Sequence, residues 1–140
     1  MRNAIVLLLL AVMSTSAAAG WVVAGKTEVS TIYVDRFMPQ QGDVINMWNL
    51  SDFNASKVFT IGGPTFSSII RQEEFNCKEE RMRTVYLEFN TRNMGRGDVI
   101  YSRGTPGGTI GAWTHVGPGS GDSGARSTDR LLFDIACRKG

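Results

Sequence analysis

Apolar and polar residues alternate with a period of two along most of the chain, which is the pattern of half-buried β-strands. The segment 43–50, DVINMWNL, is a strong strand candidate in which Val44, Trp48 and Leu50 fall on one parity and Ile45 and Met47 on the other. Glycine-rich stretches at 103–112 and 117–124 are typical of loops. Further strands are predicted at 21–23, 31–34, 56–61, 66–77, 81–90, 99–101 and 113–116. The pattern therefore predicts a mostly antiparallel β-sheet of about 5–7 strands.

The segments 66–77 and 81–90 flank a three-residue turn and predict a long hairpin. Glutamates cluster along it at four positions, among several basic residues: Glu73, Glu74, Glu79 and Glu80. Alternate strand positions face opposite sides of a sheet, so these carboxylates are not all on one face. We interpret them as solvated cross-strand ion pairs rather than as paired catalytic carboxylates.

One helix is predicted at the C-terminal end of the chain. Ser127 can cap its N-terminus and Asp129 then falls in its first turn, while Arg138 and Lys139 fall in its last turn. Its apolar face consists of Leu131, Leu132, Ile135 and Ala136. The predicted fold class is therefore α+β, a mostly antiparallel sheet with a single C-terminal helix packed against it.

The N-terminus has the three-part layout of a secretory signal peptide. One basic residue, Arg2, precedes an apolar run, and Ala17 and Ala19 form an A-x-A cleavage signal. The alternative is a membrane anchor, but the apolar run is shorter than the ~20 residues that span a bilayer. We predict cleavage of residues 1–19 and export of residues 20–140 as one domain with no transmembrane span.

Both cysteines of the chain, Cys77 and Cys137, lie in the predicted exported part. In an oxidising compartment two thiols usually form a disulfide, which here would tie the helix to the end of a strand. Metal ligation would need more His or Cys residues than the chain has. A catalytic thiol would need a base, and His115 is the only histidine.

Charge and composition give little support to other classes of function. The chain has 15 basic and 13 acidic residues, a formal net charge of +2, and its basic residues are scattered. Such a balance gives no electrostatic case for a nucleic-acid partner. Ser120 and Ser123 lack a G-x-S-x-G elbow, and Gly95-x-Gly97 is too short to cradle a phosphate. We expect no enzymatic activity, no metal and no cofactor.

Two tryptophans, Trp48 and Trp113, have two possible roles. They could be exposed aromatic residues that bind a ligand. Such residues are more often core or partly buried side chains, and the sequence does not decide between the two.

Residues spread over nearly the whole predicted mature chain resemble one known family in their order and spacing. They are Trp21, Tyr33-x-Asp35, GDVINMWNL (42–50), EEFNCKEERMR (73–83), Gly95-x-Gly97, WTHVGPGS (113–120) and Cys137. In these features the chain resembles the surface-adhesin E-like family of small exported bacterial proteins.

The resemblance implies an antiparallel sheet with a C-terminal helix held by the cysteine pair, without enzyme activity or cofactor. It also implies adhesion to another protein, with host matrix proteins such as vitronectin and laminin as ligands, and a possible homodimer. Family members on the cell surface typically carry a lipid anchor, and this chain has no cysteine near the predicted cleavage site. The leading hypothesis is an adhesin-like binding protein. The alternative is a periplasmic structural or accessory protein of the cell envelope.

The tripeptide Arg96-Gly97-Asp98 is a candidate binding loop, because many integrins bind this sequence when a loop presents it. The competing interpretation is a turn. Gly95 and Gly97 can supply positive φ angles there, and Arg96 then occupies the free position between them. The residues that follow, 99–101, form a predicted strand.

Overall fold

A computed structural model of the protein describes residues 20–108, 111–117 and 124–138. The predicted signal peptide, residues 1–19, lies outside the described residues, as do Ser120 and Ser123 of the second glycine-rich loop. Within these described ranges, no helix is both long and apolar enough to cross a membrane.

The architecture is an eight-stranded antiparallel sheet with one helix, which confirms the predicted fold class. Six strands of six residues or more lie in the order β1-β2-β4-β5-β6-β7, and two short strands pair outside this path, β3 with β4 and β8 with β6. The strands are β1 (Trp21–Lys26), β2 (Ser30–Asp35), β3 (Gln40–Gln41), β4 (Val44–Val58), β5 (Thr65–Asn76), β6 (Arg81–Asn90), β7 (Val99–Gly104) and β8 (Thr114–His115).

Strand β4 is longer than the sequence pattern predicts. The segments 43–50 and 56–61 were expected to be separate strands, but β4 runs continuously through the polar residues between them. Its register with β5 shifts between Asp52 and Lys57, so the extra residues form a bulge and pairing resumes beyond it. The bulge allows one strand to continue where strict alternation of apolar and polar residues is lost.

Helix α1 (Gly124–Ala136) begins three residues before the predicted cap, so Ser127 lies inside the helix and not at its start. Consequently Asp129 is not in the first turn, and Arg138 lies beyond the helix end. Lys139 falls outside the described residues. The helix packs on the sheet through Leu132, Phe133 and Ala136, all of them buried.

The disulfide between Cys77 and Cys137 is present, with the two Cα atoms 5.5 Å apart. It joins the residue after β5 to the residue after α1, as the sequence predicts. The buried apolar core lies between the helix and this end of the sheet. Its members are Ile32, Val34, Ile45, Met47, Phe75, Met82, Val116, Leu132, Phe133 and Ala136.

The sheet has two different faces, which we name by what covers them. The helix face carries Met47 and Phe75 beneath α1, and strand register continues the same face beyond the helix to Ser51, Ile69 and Phe89. The open face lies opposite. Because α1 covers only the part of the helix face near the disulfide, the far part of that face is left for other groups.

Candidate functional site

The end of the sheet away from the disulfide, called here the distal end, includes two neighbouring connections. They are the β4–β5 hairpin at residues 59–64 and the β6–β7 turn at residues 91–98. Antiparallel order places both at the same end, because β4 and β6 run in the same direction.

Five aromatic rings pack together at the distal end, and we call them the distal cluster: Phe53, Phe59, Phe66, Phe89 and Tyr101. The bulged end of β4 brings Phe59 across the sheet, with its ring centroid 5.1 Å from that of Phe89 and 5.2 Å from that of Tyr101. Most of these contacts have the inclined, edge-on geometry that aromatic pairs prefer. Among the described residues, the ring-to-ring contacts of the cluster are all between its own members.

The distal cluster is only partly covered. Phe59 and Tyr101 keep 36% and 39% of their surface exposed, and Val58, Ile61 and Val99 beside them are exposed as well. Scattered single apolar residues are normal on protein surfaces, but several exposed apolar residues at one end of a sheet are typical of an interaction site.

The turn at Asn93–Gly95 folds over the open face and is tied to the sheet by hydrogen bonds. The amide of Asn93 donates to Asp52 Oδ1 over 2.9 Å, and the backbone N–H of Met94 donates to the same oxygen over 2.8 Å. The backbone N–H of Gly95 donates to Ser68 Oγ over 2.9 Å. The turn is therefore fixed to β4 and β5.

Arg96, Gly97 and Asp98 follow this anchored turn and are all exposed. Gly97 has φ 80°, and a Cβ there would lie 2.3 Å from Thr91 Oγ1, so only glycine fits without a shift. The backbone N–H of Asp98 donates to the same Thr91 hydroxyl over 2.9 Å. The tripeptide is thus presented on the distal end in a defined backbone conformation.

A surface cavity of about 950 Å³ lies on the helix face between α1 and the distal cluster. Among the described residues, Arg71, Glu73 and Asp129 give it charged groups, and Phe53 and Leu132 give it apolar walls. The Arg71 guanidinium donates to Ser51 Oγ over 3.1 Å. The cavity therefore combines charge with an apolar surround.

Glu73 is the unusual member of this cavity, because only 3% of its surface is exposed. Burial raises the pKa of Glu73 to about 7, and the Asp129 carboxyl adds to the rise, while the charge of Arg71 and a hydrogen bond from Asn49 oppose it. That bond spans 3.3 Å from Asn49 Nδ2 to Glu73 Oε2. Burial likewise raises the pKa of Asp129, against the opposing charge of Arg71.

Asn49 completes the buried polar group. Its side chain is fully buried, and its Oδ1 atom has no hydrogen-bond partner although its Nδ2 atom binds Glu73. A protonated Glu73 could donate to Asn49 if the amide were turned over. The pair is thus suited to a neutral carboxyl at this position.

The predicted ion pairs of the hairpin are only partly present. Glu74 pairs with Arg83 at 2.7 Å, as interpreted from the sequence. The interpretation was wrong for Glu73, which is buried on the helix face instead of solvated. Glu79 and Glu80 are exposed in the turn. Sequence alternation separates Glu73 from Glu74 but does not say which of the two faces is covered.

The remaining candidate residues are dispersed. Trp113 packs beneath the Arg83 guanidinium, 4.5 Å from its ring centroid, and Trp48 packs edge-on against Tyr86. His115 is exposed on β8 and does not line the cavity that holds Glu73. Within the described residues, no three His, Cys, Asp or Glu side chains are grouped to hold a metal ion.

Sequence analysis did not identify the distal cluster. A usable signal was present, since its five aromatic residues all lie near the strand ends that adjoin residues 59–64 and 91–98. The signal becomes visible only when the hairpin registers are known. The bulge that turns Phe59 toward Phe89 leaves no clear mark in the sequence.

Comparison with known proteins gives one family and one fold. The family model described as surface-adhesin protein E matches residues 21–138. A structure of Haemophilus influenzae protein E matches with a TM-score of 0.53 at 11% identity, over 87% of this chain and 89% of that chain. Its crystal form II matches with a TM-score of 0.57 at 14% identity, over 85% and 87%. These structural likenesses concern the fold alone. No curated protein matches the chain.

Proposed function

The chain belongs to the surface-adhesin protein E family, and on that premise we propose that it is an exported, non-enzymatic protein whose distal end binds another protein. The partner that we propose is a component of a host's extracellular matrix. The observation that carries this proposal is the exposed apolar surface formed by Val58, Phe59, Ile61, Val99 and Tyr101. Family membership supports adhesin-like binding, and this exposed surface supports a binding site at the distal end.

The distal end has the composition of a protein-binding surface. Aromatic residues at its centre supply large contact area, and they are enriched among the residues that dominate interface energies. Polar residues border them, including exposed Arg92, Arg96 and Asp98 of the adjacent turn. An apolar centre with a polar rim is the usual anatomy of a protein interface.

The first experiment is protease shaving of intact producing cells, with a known periplasmic protein as the control for leakage. Digestion of this protein while the control survives supports surface display. Survival of both would contradict the adhesin proposal and favour a periplasmic accessory role.

The second experiment tests the distal end directly, by solid-phase binding to immobilised matrix proteins. The double variant Val58→Ser/Ile61→Ser removes exposed apolar surface and should weaken binding at least tenfold without unfolding the protein. Val23→Ser on β1 is the matched control, because Val23 and Val58 are 58% and 60% exposed. Equal binding by both variants would place the contact elsewhere.

Integrin binding by Arg96-Gly97-Asp98 is a narrower form of the proposal, supported by the exposure and defined conformation of these residues. Asp98→Glu keeps the charge and the turn but lengthens the side chain. Integrin-dependent cell attachment should be lost in this variant, while its unfolding transition stays unchanged. Attachment that survives the change would mean that the tripeptide is only a turn.

A further inference from the structure

A row of side chains crosses the open face of the sheet from β1 to β6. Strand register pairs Trp21 with Asp35, Trp48 with Gln72, and Gln72 with Tyr86. Val34 pairs with Asn49, so the next positions, Asp35 and Trp48, meet in the same row. Directly paired residues point to the same face, so these side chains stand side by side.

A cavity of about 370 Å³ opens on this row. Its lining includes three aromatic residues, two carboxylates and a proline: Trp21, Trp48, Tyr86, Asp35, Glu88 and Pro106. The rings of Trp48 and Tyr86 have centroids 5.8 Å apart and planes inclined at 66°, so they form two walls of a corner. The volume is within the range of about 300–1,000 Å³ that small-molecule sites occupy.

The proline is held over the row by a specific contact. The backbone N–H of Gly107 donates to Gln72 Oε1 over 2.7 Å, which fixes the loop that carries Pro106. Gln72 is itself buried and also donates to Asn46 Oδ1 over 2.9 Å. The cavity wall is therefore built from ordered contacts.

The charge in this cavity is negative and uncompensated. Among the described residues that line it, none is basic, and Asp35 and Glu88 make no ion pair within the described part of the chain. Both oxygens of Glu88 accept hydrogen bonds, from the Tyr86 hydroxyl and from Asn90 Nδ2. The bond to Glu88 raises the pKa of Tyr86 to about 12, so this phenol stays neutral and donates.

We propose that this cavity binds an organic cation of the quaternary ammonium type, such as a choline group. Aromatic faces attract cations through their quadrupoles, and aromatic walls with nearby carboxylates are well suited to such ligands. A primary ammonium needs several hydrogen-bond acceptors around it. Three of the four carboxylate oxygens here, both of Glu88 and Oδ1 of Asp35, already accept one bond each, and the other lining residues are aromatic or apolar, so acceptor positions for an ammonium are few. A quaternary ammonium group needs none.

The proposal is independent of the distal end, because no residue of the distal cluster lines this cavity. The quaternary ammonium ligand has two possible sources, a free choline compound and the headgroup of a lipid, which share the same chemistry. Failure of matrix-protein binding would therefore leave this proposal intact, and failure of choline binding would leave the proposed function intact.

The test is a titration of the whole mature protein with choline, in which tryptophan fluorescence measures binding. The neutral isostere 3,3-dimethylbutan-1-ol has the same shape without the charge, and N-acetyl-lysine amide offers a primary ammonium. Choline should bind at least about tenfold tighter than either compound. Equal binding of the neutral isostere, tighter binding of the lysine amide, or no saturable binding of choline would overturn the proposal.

Variants locate the site. Glu88→Gln keeps the shape and removes the charge, and Trp48→Leu removes one wall, so each should weaken choline binding at least about fivefold. Trp113→Leu is the control, because that tryptophan packs against Arg83 and does not line this cavity. Should Trp48→Leu fail to fold, Glu88→Gln still decides. Unchanged binding by folded Glu88→Gln would overturn the assignment.

Vesicles distinguish the two sources of the ligand. Sedimentation with phosphatidylcholine vesicles that free choline inhibits would support the proposal with a lipid headgroup as the source. Saturable choline binding without sedimentation would support it with a soluble source. Sedimentation with phosphatidylglycerol vesicles alone, without choline binding, would contradict it.

Discussion

At the scale of single residues, the ionisation of Glu73 affects the stability of the fold. Its folded-state pKa of about 7 lies above its ordinary value of 4.5, chiefly because burial penalises the charged carboxylate. Between these values the folded protein holds a proton that the unfolded chain releases. The free energy of unfolding should therefore fall as pH rises from about 4.5 to 7, and the loss should be complete above that range.

Glu73→Gln tests this at the same position. The glutamine is neutral at every pH and its amide can donate to Asn49 Oδ1, which lacks a partner. The variant should be more stable than wild type by a few kcal/mol at pH 8, and the difference should vanish below about pH 4.5. Urea unfolding across this pH range measures the effect. Exposed Glu79→Gln is the control, and equal pH profiles for wild type and Glu73→Gln would refute the argument.

Glu73 also shows where prediction from sequence ends. Alternation predicts that Glu73 and Glu74 face opposite sides, and they do. Which side is buried depends on the position of α1, which packs on the face that carries Glu73 and is far from residue 73 in the sequence. Tertiary packing therefore determined the environment of Glu73.

At the scale of elements, the turn at Asn93–Gly95 owes its place to close packing against the open face. Gly95 has φ 69°, and a Cβ there would lie 2.5 Å from Ile70 Cδ1 and 3.4 Å from Leu50 Cδ1. Gly95→Ala should destabilise the protein by about 2–3 kcal/mol, through backbone strain and overpacking together.

Gly42→Ala separates the two causes. Gly42 has φ 62° but nothing within 4 Å of an added Cβ, so its substitution measures backbone strain alone. It should cost about 1 kcal/mol in urea unfolding, clearly less than Gly95→Ala. Equal losses would mean that packing against Ile70 and Leu50 is unimportant.

The disulfide is the second element-scale constraint, because it closes a loop over a sequence separation of 60. Restricting the unfolded chain in this way contributes about 4 kcal/mol in the chain-entropy model. The double variant Cys77→Ser/Cys137→Ser should lose about that much in its free energy of unfolding, and reduced wild type should match it. A loss below about 1 kcal/mol would contradict the entropic account.

Elements were predicted well where their signals are local. Strands β5 and β6 and the turn between them follow from alternation and from the charged residues 78–80, and the disulfide follows from cysteine number and compartment. The helix start was misplaced because Ser127 is a good capping residue that the helix extends past. The distal cluster and the aromatic row depend on register across several strands, which no local pattern supplies.

At the scale of the whole molecule, the two ends of the sheet are stabilised differently. The end near the disulfide has the helix, the apolar core and a covalent link, whereas the distal end has a partly exposed aromatic cluster. Binding surfaces tend to lie in the less stable parts of a fold, since those parts can adjust to a partner. This asymmetry is consistent with the proposed role of the distal end.

The two edge strands show a second asymmetry, across the sheet, and it has a measurable form. Among the described strands, β1 and β7 each pair with one neighbour, but α1 packs closely on β1, where a Cβ added at Gly25 would lie 2.8 Å from Leu131 Cδ2. Strand β7 instead exposes Val99 and Tyr101. Hydrogen exchange followed by mass spectrometry should therefore show the hydrogen-bonded amides of β1 exchanging at least about tenfold more slowly than those of β7, with central β5 slowest. Faster exchange in β1 than in β7 would mean that the helix does not stabilise its edge of the sheet.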